Sequence, residues 1–250
     1  MTTVNDIFSY LRTLAPLELQ MGFDNSGFLF GRDRAEIKKV LLALDVTTTV
    51  VEEAIEKGVQ LIVTHHPVIF RPLKSMTDDK LLRLAENSIA VISMHTNLDI
   101  AQGGVNDVLI ELLGAKGTQA LDEDGCGRIG ELPDELCMSD FLVRCKEKLN
   151  SKGLRYYDAG RQVKKLAVMG GSGGDFVKLA FDYGCDTYVT ADIKYNQFLD
   201  AAELGINLID ADHYCTENPV MPVLKDKLDS QFPDIVFELS SRHEQVVSFF

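Results

Sequence analysis

The sequence has 250 residues, 46% of them hydrophobic and 25% charged, with seven Pro and nineteen Gly. These are the proportions of an ordinary soluble globular protein and not of a fibrous or low-complexity one. Net charge is −13, and no basic run exceeds two residues, so clustered Lys and Arg to neutralise phosphates are absent and nucleic acid is not the expected partner.

No apolar run approaches the roughly 20 residues that span a bilayer. The opening MTTVNDIFSYL lacks a basic start followed by an apolar stretch, so no signal peptide is read there. Five scattered cysteines, Cys126, Cys137, Cys145, Cys185 and Cys215, form no CxxC. They suggest reduced thiols in a cytoplasmic protein, with no membrane association.

In chain order, Val4, Ile7, Phe8, Leu11 and Leu14 recur at helical spacing, with Thr3 and Asp6 placed as a capping pair. GFDNSGFLFG at 22–31 is bounded by glycines, and an Asx-turn is the default expectation for Asp24 and Asn25. From Lys39 the pattern becomes strand (VLLALD), helix (VVEEAIEKG), strand (QLIVTHH), a βαβ unit whose strands are parallel if they share a sheet.

That unit recurs. Val51–His66 aligns without a gap on Val177–Asp192, matching Val51 with Val177, Ala54 with Ala180, Gly58 with Gly184, Val63 with Val189 and Thr64 with Thr190. Upstream, LLALD meets AVMGG at the same offset. Later, SIAVISMHTNLD resembles GINLIDADHYCTE. The fold class read from this pattern is α/β, with two similar halves related by internal duplication, residues 1–120 and 121–250. The polar, Gly-rich stretch DEDGCGRIGELPDE is read as the seam between them.

In open α/β sheets chemistry collects at the carboxyl ends of strands. His65, His66, His95, Asp99, His213 and Glu217 all follow predicted strands. Adjacent residues on an extended chain point to opposite sides, so His65 and His66 are expected to serve two neighbouring metals in place of one. If a helix begins near Thr216, His213 lies in the loop before it and Glu217 in its first turn. Imidazole with carboxylate suits Zn, Fe, Mn, Ni or Co.

GGSGG at 170–174 satisfies G-x-S-x-G, the turn that exposes a serine nucleophile. The repeat argues against Ser172 in that role, since DVTT stands at the equivalent turn. An anion-binding loop and a plain packing turn are the other readings. Asp192 aligns with His66, and a surface ion pair with Lys194 is its expected role. His243 has no acidic neighbour at ligand spacing and is read as a surface or packing residue.

Taken together, GFDNSGFLFG, IVTHHPVIF, SMHTNLDIAQGGVND, VMGGSGG, ADIKY and LIDADHYCTE resemble the Nif-three-like family, also called GTP cyclohydrolase 1 type 2 homologs. The likeness runs in order over nearly the whole chain. It resembles the compact form that lacks an inserted middle domain. The resemblance implies two mixed sheets flanked by helices and a homohexamer with metal sites facing an internal cavity. It also implies two divalent metal ions per chain, held by His65, His66, Asp99, His213 and Glu217, with His95 as a pocket or proton-transfer residue. Three positions depart from the family pattern: Phe23 stands for Trp, Asp212 for the usual Gly, and Asn196 for His.

Such a site would carry about +2 inside an acidic molecule and attract a phosphate, carboxylate or nucleotide. Metal-assisted hydrolysis of a small anionic molecule is the implied activity. A non-catalytic metal-binding adaptor or metal-handling protein is the alternative.

Overall fold

The apolar periodicity at the start forms the helix Val4–Leu14 and buries Val4, Ile7 and Leu11. Its first turn is closed by a capping box: the Thr3 hydroxyl accepts from the Asp6 amide while the Asp6 carboxylate accepts from the Thr3 amide. The structure is a computed structural model that describes residues 1–250 apart from Thr118. Its strands are β1 (Gly27–Phe30), β2 (Lys39–Ala43), β3 (Leu61–Thr64), β4 (Ala90–Ser93), β5 (Lys116–Ala120), β6 (Arg128–Leu136), β7 (Arg155–Tyr157), β8 (Val163–Val168), β9 (Thr187–Thr190), β10 (Asn207–Asp210) and β11 (Val236–Leu239).

They form two mixed sheets flanked by helices, one in each of two compact units. The first unit comprises Met1–Gln102 and Met221–Glu244, the second Gly103–Val220 and Gln245–Phe250. Both units are discontinuous, so the structural division falls at residue 102 and the chain later returns, in place of a single crossing near 120. The return is dictated by pairing: β11 lies parallel to β2 and completes the first sheet, burying Phe237.

In the first unit the order is β1-β4-β3-β2-β11, all parallel except the edge strand β1. Its core is built from Leu41, Ile62 and Val91 of the central strands with Val50, Val51 and Ala54 from the helix Thr48–Glu56 and Leu81 and Leu84 from Asp79–Glu86. In the second unit the order is β5-β6-β8-β9-β10-β7, with β8, β9 and β10 parallel and the rest antiparallel. The shared pattern is an antiparallel edge strand followed by three parallel strands in reverse chain order. β3 and β9 occupy the positions that the ungapped repeat assigned to each other.

The seam is built into the second sheet. Most of it is β6, paired antiparallel with β8 and burying Ile129 and Leu132. Its glycines serve close approach: a Cβ on Gly130 would stand 2.9 Å from both Ile110 Cδ1 and the Lys116 carbonyl oxygen. Among the described residues, no helix is long and apolar enough to cross a membrane. Among the described residues, none of the five cysteines forms a disulfide. Burial pushes the thiols of Cys145 and Cys215 up to about 12 and that of Cys185 to about 11, which keeps them protonated.

Candidate metal centre

Strand register places the first cluster. Ala43 is level with Thr64, and Thr64 with Ser93. The residues that follow these three parallel strands therefore emerge side by side, about 4.8 Å apart: Asp45 after β2, His65 and His66 after β3, His95 after β4. Ligand atoms of His65, His66 and His95 lie within 4.8 Å of one another. The two adjacent histidines do not diverge as an extended chain would require. The strand ends at Thr64, whose hydroxyl donates to the His66 carbonyl, and the chain bends so that the two rings stand 5.0 Å apart.

His65 is fully buried, with Nδ1 2.8 Å from the Met94 carbonyl oxygen and Nε2 3.7 Å from Asp99 Oδ1. Asp99 sits in the first turn of the short helix Thr96–Ile100 that opens directly after His95. His66 Nδ1 meets Asp45 Oδ1 at 2.7 Å, and His95 Nδ1 meets Asp24 Oδ1 at 2.7 Å. Asp24 is more than an Asx-turn residue: its carboxylate also accepts from the Ser26 and Thr96 hydroxyls and the Thr96 amide. Burial opposes ionisation of Asp24 and of Asp45. Hydrogen bonds from His95, Thr96 and Ser26 to the former, and from His243 and His66 to the latter, outweigh it and hold both carboxyls well below the usual range.

The second unit repeats the arrangement with different residues. Val168 is level with Val189, and Thr190 with Asp210, so the GGSGG loop, Asp192 and His213 follow neighbouring strand ends. The helix begins at His213 and runs to Glu217, three residues earlier than the sequence suggested. Asp212 is the reason, since its carboxylate caps the Cys215 amide at 3.1 Å. It does so at φ +74°, a left-handed conformation that explains why glycine suits this position. His213 and Glu217 thus lie one turn apart on one face, with Nε2 and Oε2 separated by 3.0 Å. His213 Nδ1 is 2.8 Å from Asp192 Oδ2. Asp192 therefore serves His213, in place of the expected surface pairing with Lys194.

The match to known proteins runs over nearly the whole chain. The family model described as Duf34/NIF3 (NGG1p interacting factor 3) matches residues 2–245. The chain belongs to the Duf34/NIF3 family. It is 39% identical over 249 residues to a Clostridium perfringens protein named GTP cyclohydrolase 1 type 2 homolog, covering 93% of this chain and 95% of the relative. A crystal structure of a Bacillus cereus protein related to NIF3 superposes with a TM-score of 0.89 at 26% identity, over 100% of this chain and 99% of that one. Reduced HcgD from Methanocaldococcus jannaschii does so with a TM-score of 0.87 at 32% identity, over 96% and 98%.

In this Duf34/NIF3 protein the donor set itself tests the fit to a metal. Each of the four histidines has Nδ1 against an oxygen: a backbone carbonyl for His65, and carboxylates for His66, His95 and His213. Those contacts make Nδ1 the protonated nitrogen and leave the Nε2 lone pair facing outward, the arrangement that orients a histidine ligand. Two such lone pairs face carboxylate oxygens, His213 on Glu217 and His65 on Asp99. A cation between them relieves the repulsion, so the residues fit a divalent metal.

In the metal-free protein a proton can take that place at His213. Burial disfavours the imidazolium, but Glu217 and Asp192 outweigh it and raise the His213 pKa from 6.5 to about 9. The group is charged below that pH, so its stabilisation is full below 6.5 and is lost as pH rises through about 9. Metal uptake must displace this proton. We predict that cobalt binding releases protons below pH 9 and weakens as pH falls; calorimetry in two buffers of different ionisation enthalpy measures the release.

The GGSGG loop is explained by Glu217. Gly171 has φ +65°, and a Cβ there would overlap Glu217 Oε1, while one on Gly170 would stand 2.7 Å from Val105 Cγ1 and 3.4 Å from Glu217 Cγ. The amides of Gly170, Gly171 and Gly173 are spent on Asn106, on Thr216 and on Gly171 with Thr190, so they do not form an anion cradle. Ser172 is exposed. Both nitrogens of His213 are engaged elsewhere, by Asp192 and Glu217, and this histidine does not serve Ser172 as a base.

Sequence reasoning missed Asp45 and the roles of Asp24 and His243. Asp45 did carry a signal, since it ends the strand VLLALD beside the histidine pair. His243 carried none: its partner Asp45 is 198 residues away.

Proposed function

We propose that this protein is a metal-dependent hydrolase of a small anionic, nucleotide-like molecule. It would act at a dinuclear centre held by His65, His66, Asp99, His213 and Glu217. The observation that carries the reading is the uniform Nδ1 anchoring of four strand-end histidines, which turns Nε2 outward in each case, toward a metal at His65, His66 and His213 and toward substrate at His95. The relatives named GTP cyclohydrolase 1 type 2 homolog support a nucleotide-like substrate. Homohexameric assembly and a cytoplasmic location belong to the same proposal.

When bound, divalent cations of the Zn, Fe, Mn, Ni or Co class supply Lewis acidity that activates water and polarises the electrophile. His65 and His213 contribute neutral imidazoles, and Asp99 and Glu217 lower the net charge of the centre while leaving it attractive to an anion. His95 carries the proton at Nε2. Asp24 holds its other nitrogen, so the ring keeps one orientation and one tautomer through the transfer.

Elemental analysis of wild type and Glu217→Ala, prepared identically, tests the centre. About two metals per wild-type chain and a loss of at least one in the variant are expected. No stoichiometric metal after reconstitution sinks the proposal. Metal without turnover across a panel of nucleotides and phosphoesters would make the protein a metal-binding adaptor instead.

A further inference from the structure

Glu53 is an acidic side chain in an apolar place. It lies on the helix Thr48–Glu56 between the core residues Val50, Val51 and Ala54, and only 1% of its surface is exposed. A buried carboxylate is costly unless it is densely hydrogen-bonded. Its donors come from the segment after β11. The Ser240 hydroxyl donates at 2.5 Å, the Ser241 hydroxyl at 2.8 Å, and the amides of Ser241 and Arg242 at 3.0 and 3.2 Å. Lys57 adds a counter-charge at 2.8 Å.

This clamp fixes the backbone immediately before His243, whose own amide donates to Ser240 Oγ at 3.0 Å. The His243 side chain is 7% exposed and reaches Asp45, with Nε2 3.2 Å from Oδ2. The other Asp45 oxygen, Oδ1, is the one that holds His66 Nδ1. The two carboxylate oxygens are therefore divided between two imidazoles. Asp45 is 42% exposed on its side chain, so without a donor on Oδ2 the carboxylate is open to rotation and to water.

We propose that His243 is a positioning residue for the metal ligand His66, acting through Asp45. It locks the carboxylate that sets the His66 tautomer and ring direction, and the Glu53 clamp delivers it from the far end of the sequence. The inference rests on the metal-binding reading of His66. Partners of ligating histidines govern affinity because a ligand that must first find its tautomer and rotamer binds more weakly.

The test uses the full chain with His243→Ala and His243→Gln, and zinc as the probe. Two quantities are read: the chelator concentration that removes half of the zinc, and the His66 tautomer in metal-free protein from long-range nitrogen–proton spectra. His243→Ala is expected to weaken zinc retention by about 10–100-fold and to turn a single Nδ1–H tautomer at His66 into a mixture. His243→Gln, which retains an N–H donor, should restore both in large part.

An Ala variant with the wild-type chelator midpoint and the wild-type tautomer overturns the inference. If that variant does not fold, His243→Phe keeps the ring and lacks the donor, and the same readings apply. Wild-type protein that takes up no zinc would refute the metal centre separately. The relay would then stand or fall on whether the His66 tautomer still responds to His243→Ala.

Discussion

Replacing Gly171 by alanine is expected to strip metal from the proposed ligands His213 and Glu217 while leaving the sheet intact. The new methyl group would occupy the space of Glu217 Oε1 and come within 3.3 Å of His213 Nε2, at a backbone φ of +65°. The left-handed conformation costs alanine about 1–2 kcal/mol, and crowding in a packed site adds about 1–3 kcal/mol. Relief by moving Glu217 carries the ligand oxygen off its helical face. Gly160→Ala is the control, because it has φ +74° but open space around it. Urea unfolding should show both variants destabilised, Gly171→Ala by roughly 2–5 kcal/mol and the control by the conformational part alone. Metal content should fall only in Gly171→Ala. Wild-type metal content in that variant would mean that Glu217 is not a ligand.

The second large effect is expected at Asp107. This buried residue of the helix Val105–Leu112 pairs with Arg128 at the start of β6 and accepts the Gly103 amide at 2.6 Å. Arg128 also donates to the carbonyls of Gly125 and Gly127 at 2.8 and 2.7 Å. Removing one partner of a buried ion pair strands the other charge, so Asp107→Ala should destabilise the protein by about 3–5 kcal/mol. The double variant Asp107→Leu/Arg128→Met should recover much of that, though not the carbonyl bonds. The loss also reaches the candidate metal centre, because Val105 and Asn106 of the same helix turn support Gly170. A double-mutant cycle by urea unfolding measures the coupling. A single-variant loss below about 1 kcal/mol would mean the pair is hydrated in solution.

The local elements were legible because they are local. The spacing of Val4, Ile7 and Leu11 and the Thr3–Asp6 box specify a helix within eleven residues. The repeat located β3 and β9, since one constant offset carries the first βαβ pattern onto the second. Likewise, polar residues at strand ends pointed to His65, His66, His95, Asp99, His213 and Glu217. The reading fell short where the deciding contact was a strand pairing or a cap that the local apolar pattern does not show. The Gly-rich seam carried no strand signal of its own, because its place in the sheet comes from pairing with β8. The helix start at His213 depended on a cap by Asp212 at positive φ.

By itself the sequence determined the fold class, the duplicated βαβ pattern and which side chains follow the strands, since these depend on periodicities of two and 3.6 residues along one stretch of chain. Only the tertiary structure decided the discontinuous units, the convergence of His65 with His66, and the partners of each Nδ1. Those partners lie 21 to 71 residues from the groups they orient. Strand register and loop closure bring them together, and no spacing along the chain encodes that.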